Sequence, residues 1–237
     1  MSKRWPTLVA PSILSGDFGH LADAAKKAED AGADALHIDI MDGHFVPNLT
    51  LGPKAVNAIR KSTNLFLDVH LMIYNPFDYI ERFVEAGAHR ITFHFEATED
   101  VSDTLEFIRK CNVEAGLAFC PETSLSLIPK YLNQCDLLLI MTVNPGFGGQ
   151  AFMPETLEKV RFIRELCDKL SIRKGGKTLK ESERLDSLPP FDIQVDGGVN
   201  EQTALECVKA GANVLVSGNY LYNAKDMKAA IQAFKGI

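Results

Sequence analysis

The sequence lacks any long run of apolar residues. Its longest strongly apolar segment, residues 137–143, contains Thr142 and is far shorter than the roughly 20 residues that a helix needs to cross a bilayer. The N-terminal residues include two basic side chains but no apolar stretch before a small-residue cleavage site, so the sequence predicts no secretory signal. We therefore expect a cytoplasmic protein that has no membrane partner.

Paired cysteines and blocks of like charge are also missing. The five cysteines are odd in number and widely spaced, and no C-x-x-C pair occurs, so we predict reduced thiols and neither a disulfide framework nor a structural zinc site. The 31 acidic and 25 basic residues give a net charge of −6 and are interspersed, which excludes a dedicated nucleic-acid surface. Any anionic ligand must therefore be held by local contacts.

Short apolar runs rich in β-branched residues alternate along the chain with stretches of helical periodicity, which is typical of parallel strands joined by helices. The eight runs are residues 7–13, 35–41, 66–72, 90–95, 114–119, 137–143, 192–196 and 213–217. A doubly wound sheet would need its phosphate-binding glycines after the first strand, whereas here glycine clusters follow strands six to eight. The sequence therefore predicts an α/β fold, a single (β/α)₈ TIM barrel over residues 1–237.

One segment, residues 171–190, interrupts this rhythm. It is rich in charge and poor in apolar residues, and its basic residues are Arg173, Lys174, Lys177, Lys180 and Arg184. We predict an extended, exposed αβ loop. Such a loop emerges at the end of a barrel opposite the active site, so we expect it to affect assembly at most.

Ionisable side chains recur inside the predicted strands. Alternation places His37 and Asp39 on one face of strand two, Asp68 and His70 on one face of strand three, and Gln194 and Asp196 on one face of strand seven; strand four offers Thr92, His94 and Glu96. Burying so many ionisable groups without a compensating cation would be costly. We therefore predict that one divalent metal ion is held by His37, Asp39, His70 and Asp196.

Two imidazoles and two carboxylates suit zinc, iron(II), cobalt and manganese alike, so the sequence does not select among these metals. Three methionines, Met41, Met72 and Met141, lie near strand ends. They either fill gaps in the core or form a polarizable lining around a reacting centre. The sequence leaves both interpretations open.

Glycine-rich loops follow strands six, seven and eight, and none contains Lys or Arg. Successive backbone N–H groups in such loops can surround an anion. We predict that they bind a single phosphate. The residues expected to do so are Gly146, Phe147, Gly148, Gly149, Gly197, Gly198, Gly218 and Asn219.

Residues 36–52 and 141–150 resemble the two signature regions of the ribulose-phosphate 3-epimerase family. Residues 10–14, 68–72, 94–96 and 194–198 are similar to that family as well, so the resemblance extends from the first strand to the last. It implies a ribulose-phosphate-binding barrel and a homo-oligomeric isomerase of the pentose phosphate pathway. The implied reaction interconverts D-ribulose 5-phosphate and D-xylulose 5-phosphate by epimerisation at C3.

The resemblance also implies roles for individual residues. Positions equivalent to His37, Asp39, His70 and Asp196 hold the metal, and Asp39 and Asp196 act as general base and acid on opposite faces of the sugar, through a metal-stabilised enediolate. Ser12 and His70 contact the substrate, and the methionines line the reacting centre. Cys120 stands where the family usually has Asn, and residues 171–190 are longer than usual.

The sequence also bears on three alternative functions. A phosphosugar decarboxylase or aldolase that uses Asp-x-Lys-x-x-Asp is disfavoured because strand three has no lysine. A non-catalytic phosphosugar-binding barrel is disfavoured because no acid, base or ligand is missing. A 3-epimerase of six-carbon ketose phosphates stays open, because an extra carbon changes the length of the pocket more than the chemistry.

Overall fold

The computed structural model describes residues 5–180, 183 and 187–237. In this part of the chain, one sheet contains eight parallel strands. They are β1 Leu8–Pro11, β2 Ala35–Met41, β3 Phe66–Met72, β4 Arg90–His94, β5 Glu114–Phe119, β6 Leu137–Met141, β7 Asp192–Asp196 and β8 Val214–Ser217. Their order in the sheet is β1-β8-β7-β6-β5-β4-β3-β2. A parallel bridge joins Ser12, directly after β1, to His37 within β2, so the sheet closes into the predicted (β/α)₈ barrel.

Helices connect the strands and cover the outside of the sheet. They are α1 Leu21–Asp30, α2 Pro53–Ser62, α3 Ile80–Glu85, α4 Val101–Lys110, α5 Leu157–Lys169, α6 Glu201–Ala210, α7 Asn219–Tyr222 and α8 Met227–Lys235. The connection from β5 to β6 is instead a 3₁₀ helix, Leu125–Tyr131, which contains Pro129. Proline lacks the N–H that a helix interior requires, which disfavours an α-helix there.

The alternation of side chains along each strand separates two apolar layers. On β2, Leu36, Ile38 and Ile40 belong to the main core cluster, which also contains Val56 and Ile59 of α2. A smaller buried cluster is formed by Ala118, Leu137, Leu139, Met141, Val143 and Val214. On β2, the alternate positions point away from the main core cluster, and they carry the polar side chains of His37 and Asp39.

The first strand is shorter than predicted. Residues 7–13 were expected to be extended, but β1 ends at Pro11 and Ile13–Ser15 forms a 3₁₀ turn. The chain bends here because the backbone N–H groups of Ser15 and Gly16 bond back to the carbonyls of Ser12 and Ile13. The bend leaves Ser12 at the end of the barrel where β2 and β3 also end.

Part of segment 171–190 forms a small antiparallel ribbon of strands Ile172–Arg173 and Lys177–Thr178, hereafter the ribbon. The prediction of an exposed loop is wrong for Ile172, Arg173 and Leu179, which are buried. Asn133 explains the ordering, since its side-chain amide donates to the Gly176 carbonyl (2.8 Å) and to Oγ1 of Thr178 (2.9 Å). Arg184, also assigned to this loop, lies outside the described residues. The ribbon packs beside residues that precede β6, at the end of the barrel expected for an αβ connection.

A search of the described residues for a membrane-spanning helix found none with the necessary length and apolar character.

Candidate active site

The carboxyl ends of β2, β3 and β7 bring together the four side chains predicted to bind metal. Strand register pairs His37 with Asp68 and Asp39 with His70 across β2 and β3, while Asp196 lies at the end of β7. One ligand atom from each of His37, Asp39, His70 and Asp196 lies within 4.8 Å of the others. We call these four residues the central cluster.

The central cluster is compact and almost fully buried. Oδ1 of Asp39 lies 3.3 Å from Nε2 of His37 and 3.0 Å from Nδ1 of His70. Oδ2 of Asp196 lies 3.8 Å from the same His37 nitrogen. The two imidazoles are inaccessible to solvent, whereas 17% of the Asp196 side chain is exposed. Asp196 therefore faces the open side of the site.

The surroundings of the Nε2 atom of His37 show whether the central cluster suits a cation. Nδ1 of His37 lies 2.8 Å from Oδ2 of Asp68, so the ring proton sits on Nδ1 and the Nε2 lone pair points into the central cluster. Nε2 has no hydrogen-bond partner among the described residues, and leaving a buried polar atom unpaired is costly. Two imidazole nitrogens and two carboxylates are suitable ligands for a divalent metal ion. The residues present therefore fit a metal.

When no cation is bound, a proton on His37 compensates the negative charge of the surrounding carboxylates. Burial lowers the pKa of His37, but the negative charges of Asp39 and Asp68 outweigh it and raise the pKa well above its usual value. Burial lowers the pKa of His70 to about 4. A proton on His37 thus takes the position that a bound cation would fill.

The two carboxylates of the central cluster have opposite pKa shifts. Burial favours a raised pKa for Asp39, but His37 and His70 hold it well below the usual range. Burial and, next, the negative charge of Asp39 raise the pKa of Asp196 to about 7. One carboxylate is therefore ionised while the other can carry a proton at neutral pH, an arrangement suited to acid–base chemistry.

A cavity opens above the central cluster, and most of the predicted substrate-binding residues line it. Ser12 lies in its wall, where its hydroxyl donates a hydrogen bond of 2.7 Å to Oδ2 of Asp39. The other predicted residues in the wall are Met41, Met72, Met141, Gly146, Phe147, Gly148, Gly149, Gly197, Gly198, Gly218 and Asn219. His70, predicted to contact the substrate, lies fully buried beneath the cavity wall instead.

The three glycine-rich loops meet at one side of this cavity. Gly197 and Gly198 have φ values of +118° and +66°, which side-chain-bearing residues rarely adopt. A Cβ at Gly197 would lie 2.4 Å from Cγ2 of Val143, and one at Gly198 would lie 2.9 Å from the backbone of Phe152. The loops therefore need glycine to turn so tightly. No Lys or Arg occurs among the described residues lining the cavity, so the donors there are amides and hydroxyls.

Several residues around the site were given no role on the basis of sequence. Asp68 accepts a hydrogen bond of 2.7 Å from Gln194 and lies 3.6 Å from the guanidinium of Arg90. The side-chain amide of Asn48 donates to the Gly146 carbonyl at 2.7 Å and so ties the loop after β2 to the loop after β6. Alternation identified Asp68 as inward-facing, but no sequence signal indicated the Asn48 contact.

The fold is shared with proteins of very different sequence. Thiamine phosphate pyrophosphorylase from Pyrococcus furiosus superposes with a TM-score of 0.61 at 15% identity, covering 97% of this chain and 94% of that one. 3-Hexulose-6-phosphate synthase gives a TM-score of 0.60 at 15% identity, covering 97% and 98% of the two chains. At this level of identity the similarity establishes the fold alone.

Sequence comparison is more specific. The model of the ribulose-phosphate 3 epimerase family matches residues 8–222. The ribulose-phosphate 3-epimerase of Chlamydia muridarum (strain MoPn / Nigg) is 46% identical over 236 residues, which cover 99% of this chain and 97% of that protein. The ribulose-phosphate 3-epimerase of Bacillus subtilis (strain 168) is 45% identical over 228 residues, covering 96% and 98% respectively. This chain therefore belongs to the ribulose-phosphate 3-epimerase family.

Proposed function

We propose that this protein interconverts D-ribulose 5-phosphate and D-xylulose 5-phosphate by moving the proton at C3, with the help of one divalent metal ion. The observation that carries the proposal is the pair of carboxylates, Asp39 and Asp196, that lie beside two buried imidazoles at the base of a cavity lined by glycine loops. Family membership supports the same reaction, since the relatives are named ribulose-phosphate 3-epimerase.

Asp39 and Asp196 carry the acid–base steps in this proposal. Epimerisation removes the C3 proton from one face of the sugar and returns a proton to the other face, so two groups must alternate as base and acid. Asp39 is ionised and ready to accept a proton, and Asp196 can carry one at neutral pH. The hydroxyl of Ser12 bonds to Oδ2 of Asp39 and so orients that carboxylate.

His37, Asp39, His70 and Asp196 would hold the metal. A bound divalent cation would supply positive charge next to the substrate oxygen that becomes negative when the C3 proton leaves. The side chains of Met41, Met72 and Met141 line the adjacent wall of the cavity and would exclude water from the reacting carbon.

The glycine loops after β6, β7 and β8 would hold the phosphate. Their backbone N–H groups can donate to the phosphate oxygens, and the absence of Lys and Arg from the described cavity lining suits one phosphate better than a polyphosphate. The cytoplasmic location and homo-oligomeric state expected from the sequence belong to this proposal as well.

Proton NMR in deuterated water tests the reaction directly. Purified protein is mixed with D-ribulose 5-phosphate before and after removal of metal with a chelator. We expect xylulose 5-phosphate with deuterium at C3, loss of the reaction on stripping, and recovery when a divalent metal is restored. If no exchange occurs with zinc, iron(II), cobalt or manganese, the proposed reaction is wrong. A parallel assay with a six-carbon ketose phosphate then separates the remaining epimerase alternative from a binding protein without turnover.

A further inference from the structure

A second imidazole lies directly behind His70. Nδ1 of His70 faces Asp39 in the central cluster, and Nε2 on the other side of the ring lies 2.9 Å from Nε2 of His94. Nδ1 of His94 in turn lies 3.2 Å from Oε2 of Glu96. Both rings are fully buried, so these contacts are shielded from water. Two facing nitrogens at 2.9 Å share one proton, which belongs to one ring or the other.

Glu96 decides which ring carries that proton. Its Oε1 atom accepts hydrogen bonds from the backbone N–H of Cys120 at 2.9 Å and from the hydroxyl of Thr123, which leaves Oε2 for His94. Burial favours a higher pKa for Glu96, but its hydrogen bond with His94 contributes most to lowering the pKa to about 2. The carboxylate is therefore ionised and can only accept hydrogen bonds.

The positions of the ring protons follow in sequence. An acceptor at Oε2 requires a proton on Nδ1 of His94, so Nε2 of His94 can accept. It then accepts from a proton on Nε2 of His70, which leaves the Nδ1 lone pair of His70 for a metal. Without a metal, the ionised Asp39 carboxylate, 3.0 Å from Nδ1 of His70, competes for a proton on that nitrogen. We propose that Glu96 is a positioning residue that acts through His94 to hold His70 in the tautomer able to bind the metal. This inference rests on the metal site in the proposed function.

The arrangement matches the one at the other imidazole. His37 is held by a direct hydrogen bond from Nδ1 to Asp68, and His70 is held by a two-step contact that ends at Glu96. Metal-binding imidazoles commonly have their second nitrogen fixed in this way, and removing the fixing group usually weakens metal binding by about 10- to 100-fold. Each imidazole of the central cluster thus has its own carboxylate: Asp68 is fully buried, and the Glu96 side chain is 24% exposed.

Cys120 is the other group near Nδ1 of His94, with Sγ at 3.4 Å. His94, Glu96 and Cys120 also lie close enough to resemble a second metal site. However, a proton on Nδ1 of His94 prevents that nitrogen from binding a metal while His70 does so. Burial raises the pKa of the Cys120 thiol, so it stays neutral and leaves Glu96 as the stronger acceptor.

The substitution Glu96→Gln should move the proton of each imidazole, His94 and His70, to the opposite ring nitrogen. The backbone N–H of Cys120 and the hydroxyl of Thr123 are donors, so they will face the glutamine oxygen and turn its NH₂ toward His94. Nδ1 of His94 must then accept, which places a proton on its Nε2. His70 then accepts at Nε2 and carries its proton on Nδ1, where it blocks metal binding.

Two measurements test the proposal on the full chain. Long-range ¹H–¹⁵N NMR of ¹⁵N-histidine-labelled, zinc-loaded protein locates the ring proton of His94, and calorimetric titration of stripped protein with zinc chloride measures affinity. Glu122→Gln serves as the charge-matched control, since Glu122 is exposed and lies in the loop after β5 that also contains Cys120 and Thr123. Cys120→Ala tests the competing thiol contact. We expect a proton on Nδ1 of His94 in the zinc-loaded wild type and both controls, and on its Nε2 in Glu96→Gln, with zinc affinity about 10- to 100-fold weaker in that variant alone.

The results distinguish this proposal from the metal site itself. A zinc-loaded wild type without a proton on Nδ1 of His94 overturns the proposal, even if Glu96→Gln does not fold. Equal tautomers in the wild type and Glu96→Gln overturn it as well, as does a Cys120→Ala variant that loses affinity as Glu96→Gln does. A wild type that binds no zinc contradicts the metal site, whereas a wild type that binds zinc no more tightly than Glu96→Gln contradicts only the role of Glu96.

Discussion

The carboxylate of Asp68 accepts a hydrogen bond of 2.8 Å from Nδ1 of His37. The same carboxylate lies 3.6 Å from Nη1 of Arg90, which is buried and also pairs with Glu114 and Asp192. Inside a barrel such a buried charge must be compensated. Arg90 therefore keeps Asp68 ionised, and Asp68 accepts from Nδ1 of His37, so that Nε2 of His37 is directed into the central cluster.

Replacing Asp68 by Asn should weaken zinc binding by about 10- to 100-fold, because the neutral amide no longer requires a proton on Nδ1 of His37. Asp192→Asn is the matched control: Asp192 also lies near Arg90, at 3.8 Å, but makes no contact with His37 among those described. Calorimetric titration of both variants with zinc chloride compares their zinc affinities. Equal zinc affinities for the two would mean that Asp68 acts only through Arg90.

The variant Asp196→Asn should lower the epimerisation rate by about 10²- to 10⁴-fold, the usual contribution of a general acid or base. Asp39 is unchanged in this variant, so one of the two epimers should still exchange its C3 proton with deuterated water without inversion. NMR of each epimer separately measures both processes, and circular dichroism checks the fold. Near-normal turnover in a folded variant would contradict a mechanism with two aspartates.

Metal binding should also stabilise the folded chain. At a free metal concentration 100 times the dissociation constant, the free energy of unfolding rises by about 2.7 kcal/mol, which corresponds to an increase in Tm of roughly 5–11 °C for a chain of this size. Thermal unfolding of stripped and reloaded protein measures the shift. The variant His37→Gln should show little or no increase; a full increase would place the stabilising cation elsewhere.

Gly198→Ala should raise KM for the phosphosugar and reduce stability. The left-handed φ of +66° costs a side-chain-bearing residue about 1–2 kcal/mol, and the added Cβ would contact the backbone of Phe152. Gly52→Ala is the control, because a Cβ there meets no atom within 4 Å. Urea unfolding and steady-state kinetics compare the two. An unchanged KM in Gly198→Ala would argue against phosphate binding by this loop.

Asn133→Ala should separate stability from activity. The substitution removes both side-chain hydrogen bonds to the ribbon, so the free energy of unfolding should fall by about 1–3 kcal/mol. The ribbon lies at the end of the barrel away from the central cluster, so kcat should stay within twofold of the wild type. A large loss of kcat in the folded variant would show that the ribbon influences the site.

Much of the fold and the central cluster could be predicted from sequence because both depend on alternation within strands. Period-two spacing identified His37 and Asp39, then His70, as residues of one barrel interior. It did not predict that His37 pairs with Asp68 and Asp39 with His70, because these contacts depend on the register between β2 and β3. Register is set by the packing of the complete sheet, which the sequence of one strand does not contain.

Contacts between distant loops were equally hidden. The hydrogen bond from Asn48 to Gly146 joins residues 98 positions apart, and neither residue type marks it in advance. Exposure was predicted for the whole ribbon because its composition is polar, but its first strand, Ile172–Arg173, is buried, and Asn133, about 40 residues earlier in the chain, bonds to the ribbon. Composition predicts solvent exposure only where no distant partner supplies hydrogen bonds.

The closure of the barrel depends on residues of the candidate site. Between β1 and β2 the described structure has one bridge, of Ser12 with His37, beside the bond from the Asp34 N–H to the Val9 carbonyl at 3.0 Å, and Ser12 is also bonded to Asp39. Opening the sheet here would expose its backbone amides and pull Ser12 away from the central cluster in the same event. A cation held by His37 and Asp39 would oppose that opening, so amide hydrogen exchange near Ser12 and His37 would slow as the site fills.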